Sequence, residues 1–544
     1  MCVRLLFAEY RTAPILIPDE TGYLLAARLL AGGAAGNLSG WSFYQPGYPL
    51  LISPAYWLSD DPVTVYHLVV AINSLIGAAL LPLAHVALRR LKLPRAHAYL
   101  LATVTALLPS VLFYSQFAMA DAVLPVVMLG WLLLIHSWIA GGRPGYGAAA
   151  SAVAAYCYCV HSRGAIIVLV HAGLLAAALW RRWASRRDTA VIAGTLVAAS
   201  AAAWALNGWA RSQIYPGGVN PLGDFVSRRL TSPDGLGWTL GLATGKIWYL
   251  IVSTVGVAGV GLVAVGVLAA RRSTPVAMRA TASVMLAAIT GIAVASSAAV
   301  PDEGAVANFA YGRYLGCLAP VLFIAGAAFA VRATRRAAVQ VVLATAALAL
   351  VTGGIVCLHA GDRLSRSFFT ALEFPEICFF TWSWGSLKLW SATCVALLLL
   401  ALSGAVIAKW RRGGLLIVAA AFIAFALADT IVVANRVVRP PERMLWSAAS
   451  LAPAGLRAQD RVAVNYPDLP WRIWVAQAFQ VRTGLVPIDR FRGATLPPDV
   501  TLVVVPWDGV LPPEFSWPTA PAGWHLVSVR RTYTGDWVAW RRGR

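Results

Sequence analysis

The sequence predicts an all-α protein that crosses a membrane about 12 times and ends in a small α/β domain. Three observations lead to that expectation. Of the 544 residues, 59% are hydrophobic and 12% charged, with a mean hydropathy of +0.69; soluble globular chains carry about 45–50% and about 25%. Apolar runs of roughly 20 residues, the length that crosses a bilayer as a helix, recur along most of the chain. Beyond about residue 435 the texture changes to polar, Pro- and Trp-rich sequence with short Val and aromatic runs. A soluble enzyme and a disordered chain are both excluded by this composition.

The elements follow in order. Residues 1–17 (MCVRLLFAEYRTAPILI) contain Arg4, Glu9 and Arg11 and are too short to span a bilayer about 30 Å thick. No signal peptide is visible either. The expectation is that a first transmembrane helix preceding this stub is missing, which would bring the count to about 13. Pro18-Asp19-Glu20-Thr-Gly-Tyr23 then opens an interfacial helix through Leu24–Leu30. Phe43-Tyr44-Gln-Pro46-Gly47-Tyr48-Pro49 forms a rigid aromatic loop. Apolar spans are expected near 64–88, 97–113, 120–140, 145–160, 164–180, 189–209, 245–270, 277–299, 314–331, 337–357, 388–408 and 413–434. The short pair 145–160 and 164–180 is read as two helices, because only then do all basic clusters fall on one side. In the tail, Arg461–Tyr466, Thr501–Trp507, His525–Tyr533 and Asp536–Arg542 read as strands and Trp471–Gln480 as a helix. The expected division is a membrane domain at 1–434 and an outer α/β domain at 435–544.

The net charge of +21 would suggest nucleic acid if the basic residues were spread. They are clustered between spans instead: Arg89, Arg90, Lys92 and Arg95; Arg143; Arg181, Arg182, Arg186 and Arg187; Arg271, Arg272 and Arg279; Arg332, Arg335 and Arg336; Lys409, Arg411 and Arg412. Cytoplasmic loops accumulate Lys and Arg, so this pattern is topology signal and not a nucleic-acid interface. Of the 23 acidic residues, only Asp188 falls in an expected cytoplasmic loop. Aqueous chemistry is therefore expected on the outer face of a multi-pass cell membrane protein. Arg greatly outnumbers Lys and Ala and Gly are abundant, which reads as a GC-rich bacterial source.

Four outer segments carry the candidate chemistry. Asp19 and Glu20 open a helix, where acids also serve plainly as caps or dipole partners. Asp121, in Tyr114-Ser-Gln-Phe-Ala-Met-Ala-Asp121, stands at the mouth of an apolar span. A charge there is either interfacial or functional. Arg313 lies between Tyr311 and Tyr314; this is either an aromatic belt or a phosphate clamp, for which Arg supplies a bidentate fork. Arg163 and Lys246 are cations at other outer turns. Tyr23, Tyr44 and Tyr48, with Tyr311 and Tyr314, could bind sugar or acceptor, although aromatics also populate every membrane interface.

Other features carry less. Cys157 and Cys159 stand two apart in a helix and face different ways. The seven Cys make no disulfide framework, and Cys357–Cys378 is the one outer pairing considered. The eight His lack metal-ligand spacing, and Asn37-Leu-Ser39 has little meaning as a glycosylation sequon in a bacterium. There is no Walker, GxSxG or well-placed GxGxxG motif, so group transfer needs a donor already activated outside. No internal repeat of the transporter kind is visible.

Taken in order and on one face, these residues resemble the GT-C superfamily of membrane glycosyltransferases. Its members include protein O-mannosyltransferases, lipid A aminoarabinose transferases and arabinofuranosyltransferases. Pro18–Leu30 matches the outer acidic pair and its helix, Tyr44–Pro49 the aromatic Pro-Gly segment, Ser115–Asp121 the second acid, and Tyr311–Tyr314 the late Arg-Tyr. The motifs cover about residues 1–330, and the family's first helix is the departure. The resemblance implies transfer of a sugar from a polyprenyl-phosphate donor to a hydroxyl of an envelope glycan, lipid or protein. It implies inverting displacement with Asp19 as base, helped by Glu20 and Asp121, which would orient the acceptor, tune Asp19 or hold a divalent cation. Arg313, Arg163 and Lys246 would bind the donor phosphate. The competing expectation is a transporter or flippase of lipid-linked envelope precursors.

Overall fold

A computed structural model describes residues 1–220, 222–410, 413–489 and 496–543; Arg411 and Arg412 of the last basic cluster lie outside the described residues. Among the latter, seven helices are long and apolar enough to cross a membrane: Pro62–Arg90, Leu124–Gly141, Arg186–Ile214, Val276–Ala299, Arg335–Ala360, Leu389–Lys409 and Gly414–Ala454. An eighth span is made if Pro233–Ser253 and Val257–Ala270, bent by 116°, are taken together. Shorter apolar helices at Pro144–Val160, Gly164–Trp180 and Ala319–Arg332 pack among them. The protein is a multi-pass membrane protein.

Three expected spans are broken, each for a local reason. The 245–270 span turns at Val255 (φ 55°) and Gly256 (φ 77°), where Leu400 fills the space a Cβ on Gly256 would need. The 97–113 span divides into Arg95–Ala106 and Pro109–Tyr114, because Pro109 has no N–H to continue the ladder. The carbonyls freed there are taken by Arg4, whose Nη2 donates to Ala106 O (2.8 Å) and Nη1 to Val111 O (3.2 Å). The N-terminal stub, helical over Cys2–Ala8, is held by this contact. The 314–331 span becomes Arg313–Gly316 and Ala319–Arg332, the second with Pro320 in its first turn.

Small residues let the helices approach closely. Helix Val257–Ala270 packs along Ala319–Arg332; a Cβ on Gly261 would stand 2.0 Å from Leu322 O, and one on Gly326 2.2 Å from Val257 O. At the basic end, Arg332 donates to Leu91 O (2.7 Å), and Arg90 to Leu133 O (2.8 Å) and Ser137 Oγ (2.7 Å). The expected cytoplasmic turns therefore meet one another. Cys357 and Cys378 are both free thiols, so the outer disulfide considered above is not formed.

The expected boundary at 434/435 coincides with one π-helical turn, Ala434–Val438, inside a helical run that continues through Arg439–Ala449. Beyond it lies a mixed sheet of β1 (Arg461–Asn465), β2 (Leu485–Ile488), β3 (Val500–Pro506), β4 (Trp524–Arg530) and β5 (Trp537–Arg542). The order is β2-β1-β3-β5-β4; β1 is parallel to β2 and β3, and β5 antiparallel to β3 and β4. Val462, Val464, Leu502 and Val504 point into the core shared with the membrane domain, while Ala463, Val503 and Val505 point into a separate small core. Helix Trp471–Gln480 seats the domain: Trp471 packs on Trp41 (centroids 4.9 Å) and Phe479 on Tyr66 (6.2 Å). Arg28 donates to Ala34 O (2.9 Å), Ala478 O (3.0 Å) and Val481 O (2.5 Å). The helix that begins at Asp19 is thus tied at its far end to the outer domain.

Candidate active site

Asp19 is the first residue of helix Asp19–Leu30, whose N-cap, Pro18, makes no side-chain cap. The Asp19 carboxylate is not used for capping either. Its Oδ1 accepts from the Tyr44 hydroxyl (2.8 Å) and its Oδ2 from Arg313 Nη1 (2.7 Å), and its side chain remains 29% exposed. The helix N-terminus adds a favourable field for that charge. Tyr44 reaches this position because Gly22 leaves room: a Cβ there would lie 2.0 Å from Tyr44 Cδ2. The backbone of Tyr44 donates to the Tyr215 hydroxyl (3.2 Å), which itself donates to Ser42 O (3.1 Å). Burial, then the Asp19 charge, pushes the Tyr44 phenol well up, so it stays a donor.

Arg313 opens the short helix Arg313–Gly316 and bridges two acids. Besides Asp19, its Nε donates to Asp121 Oδ2 (3.0 Å). Asp121 sits in the 3₁₀ turn Ala120–Ala122, before helix Leu124–Gly141. Arg163, in the turn between Pro144–Val160 and Gly164–Trp180, donates through Nη2 to Asp121 Oδ1 (2.7 Å). Its Nη1 donates to Tyr314 O (2.9 Å) and Arg313 O (3.3 Å). Burial alone would raise Asp121, but Arg163 and Arg313 hold it below the usual carboxylate range. Burial likewise opposes the Arg313 charge, yet Tyr311, Asp121 and Asp19 hold its pKa well above the ordinary value.

The remaining expected residues divide. Lys246 is buried, donating to Ser296 Oγ (2.8 Å), with its ammonium 4.7 Å from the Tyr314 ring centroid. Tyr311 and Tyr314 meet edge to face at 5.5 Å beside Arg313. Tyr23 and Tyr48 are core residues: their rings meet edge to face at 5.3 Å, and Tyr48 donates to Asn73 Oδ1 (3.0 Å). Neither presents an open ring face to a sugar.

Glu20 does not join Asp19. It is fully buried on the opposite side of the helix start, accepting from Ile15 N (2.8 Å), Leu16 N (2.9 Å) and Ala118 N (2.9 Å) and from the Tyr66 hydroxyl. Arg11 stands 3.9 Å away and pairs at 2.6 Å with Glu442, which also accepts from the backbone of Thr12 (2.6 Å) and Ala13 (3.0 Å). With its oxygens taken by the chain, Glu20 fixes the N-terminal segment and the 115–121 turn. It has no free edge for acceptor or cation. Among the described residues, no group of three or more His, Cys, Asp or Glu is placed to hold a metal ion.

The structure adds residues that the sequence reading did not single out. Outer segments 301–309 and 367–376 are knit together by Val306 N to Phe368 O (2.9 Å) and Phe368 N to Gly304 O (2.9 Å). They bring Glu303 within electrostatic reach of Asp19, and Glu373 within reach of Arg313. Burial and the neighbouring Glu303 push Glu373 up to about 7, and its Oε2 is buried without a hydrogen-bond partner. A narrow cleft behind Arg313 is lined by Tyr114, Tyr249 and Glu376, the Tyr249 hydroxyl donating to Glu376 at 2.5 Å. Loop acids are ordinary in sequence; only the fold shows which are buried. The pairing of Tyr215 with residue 44 carries no local signal at all.

No family model matches the sequence. No curated protein matches it either. Solved structures do. ArnT from Cupriavidus metallidurans bound to undecaprenyl phosphate matches with TM-score 0.58 at 15% identity, over 99% of this chain and 96% of that one. Its apo state matches with TM-score 0.55 at 14% identity, over the same shares. The Archaeoglobus fulgidus oligosaccharyltransferase tethered to an acceptor peptide gives TM-score 0.45 at 12% identity, over 93% of this chain and 68% of that chain. The chain has the fold of ArnT from end to end, including the membrane helices and the sheet.

Proposed function

We propose that the protein transfers a sugar from a polyprenyl-phosphate donor to a hydroxyl of an envelope glycan, lipid or protein. Transfer takes place at the outer face of a bacterial cell membrane. The observation that supports this best is Arg313 joining Asp19 and Asp121 in a half-open cluster built from the ends of several helices. A guanidinium at a helix mouth suits a lipid phosphate, whose chain must stay in the bilayer while its head meets water. The likeness of fold to a protein that binds undecaprenyl phosphate supports that class of donor. The placement of charge at helix mouths favours this reading over a transporter, whose sites lie near the bilayer midplane.

In the proposed reaction Asp19 accepts the proton of the acceptor hydroxyl while that oxygen attacks the anomeric carbon from the face opposite the phosphate. The anomeric C–O bond breaks with its electrons on the phosphate, whose charge Arg313 neutralises, with Lys246 close by. Tyr44 orients Asp19. Asp121 and Arg163 position Arg313, Arg163 through the carbonyls of Arg313 and Tyr314. This commitment leaves Arg163 a positioning residue and not a phosphate ligand. Glu20 is structural in this scheme.

The test is sugar release from radiolabelled polyprenyl-phosphate sugars by the protein in lipid nanodiscs. Asp19→Asn is expected to lower turnover roughly 10²–10⁴-fold while donor binding persists. Undiminished turnover would move the base elsewhere, and absence of donor binding by the wild type would return the transporter reading.

A further inference from the structure

The reaction proposed above, on which this inference rests, asks Arg313 and Asp19 to do incompatible things in the conformation observed. Asp19 must accept a proton, yet both of its oxygens already receive a hydrogen bond, one of them from a guanidinium at 2.7 Å. Arg313 must bind a phosphate, yet its Nη1 and Nε face Asp19 and Asp121. The two carboxylates are not equivalent. Asp121 is 5% exposed and shared with Arg163, whereas Asp19 is 29% exposed and has no second cation within 4 Å among the described residues. The Nη1–Asp19 contact is the one that a ligand arriving from the open side can displace without burying a charge unpaired.

We propose that Arg313 gates the base: a donor phosphate oxygen replaces Asp19 Oδ2 as the acceptor from Arg313 Nη1, and only then is Asp19 free to deprotonate the acceptor. Nε stays on Asp121, so the guanidinium pivots about a fixed contact and does not leave the site. The exchange conserves ion pairs. Arg313 trades one anion for another, and Asp19 is left with the Tyr44 hydroxyl and one open oxygen. The acceptor's O–H proton then passes to that oxygen as the new C–O bond forms and the phosphate departs with the electrons of the old one. The gate is also a specificity element, because a sugar carrier without an anionic phosphate cannot remove Arg313 from the base and is not used. Before the donor binds, Asp19 is too well paired to activate water or a stray hydroxyl.

A competitive contact has a signature that a merely structural one lacks: removing the competitor strengthens the ligand. Undecaprenyl phosphate serves as the probe, doped into nanodiscs holding the full chain, with binding read by native mass spectrometry. Asp19→Asn, near in shape to the native side chain, is expected to tighten binding about tenfold, the scale of one charge-assisted hydrogen bond. In an Arg313→Gln background the same Asp19→Asn change is expected to alter binding by less than about twofold, the coupling having been removed. Glu303→Gln removes one negative charge near Asp19 without touching Arg313, and measures the general electrostatic part. Unchanged or weaker binding in Asp19→Asn overturns the gate, as does a tightening that persists without Arg313 or is matched by Glu303→Gln. These outcomes leave the proposed function standing if the wild type binds the probe. A wild type that binds none overturns both.

Discussion

Asp19 and Glu20 are neighbours in the sequence and opposites in the structure, and what reaches their oxygens makes the difference. Glu20 accepts from three backbone N–H groups and a buried phenol; Asp19 accepts from one phenol and one guanidinium, with an edge left in the open. The acidic pair, Asp121 and Arg313 were legible because acids and lone Arg at helix mouths are unusual in so apolar a chain. Which acid of the pair faces the site was not legible, since helical direction at a first turn depends on the cap. Glu373 shows the same limit from the other side. Its carboxyl is pushed up to about 7 by burial and by Glu303, so the folded chain keeps a proton that the unfolded chain releases near its ordinary value of 4.5. The resulting stabilisation is complete below about 4.5 and is lost as pH rises through about 7. Glu373→Gln is therefore expected to lose less thermal stability than the wild type between pH 4 and pH 8 in detergent. Parallel pH profiles would refute that burial.

At the scale of elements, the apolar runs located the helices, but their breaks were set by features a hydropathy window averages away. Pro109 and Pro320 interrupt runs that remain apolar, and the turn at Val255 and Gly256 depends on a left-handed backbone. Each break frees carbonyls or directs a short helix at an outer mouth, so the irregularities and the candidate site coincide. Strand β2 was missed because it is only four residues long and contains Pro487. Helix Asp19–Leu30 depends on Gly22 for the approach of Tyr44. Gly22→Ala is expected to displace the Tyr44 ring and lower turnover at least tenfold, with the outer domain still folded by limited proteolysis. A variant with native turnover would show that the Tyr44–Asp19 contact is dispensable.

For the whole molecule, charge placement settled more than any motif did. Basic turns meet at one end of the bundle, and the acids, the open cluster and the sheet gather at the other. Orientation in the cell can be read directly. With the exposed Cys2 and Cys394 replaced by Ser, Asp362→Cys is expected to react with a membrane-impermeant maleimide in intact cells. Arg143→Cys is expected to react only after lysis, and the reverse order would invert the assignment. The docking of the outer domain was not legible, because Arg28 reads as an ordinary helix-end cation until Ala478 and Val481 are found beside it.

The glycine seam between Val257–Ala270 and Ala319–Arg332 has a mechanical consequence. Two helices that touch backbone to backbone cannot slide by small side-chain adjustments, so they behave as one stiff strut. The strut runs from the basic turns to the segment just after Arg313. Compression or thinning of the surrounding lipid is carried along its length and delivered at the guanidinium, which couples the candidate site to the thickness of the bilayer in which it sits.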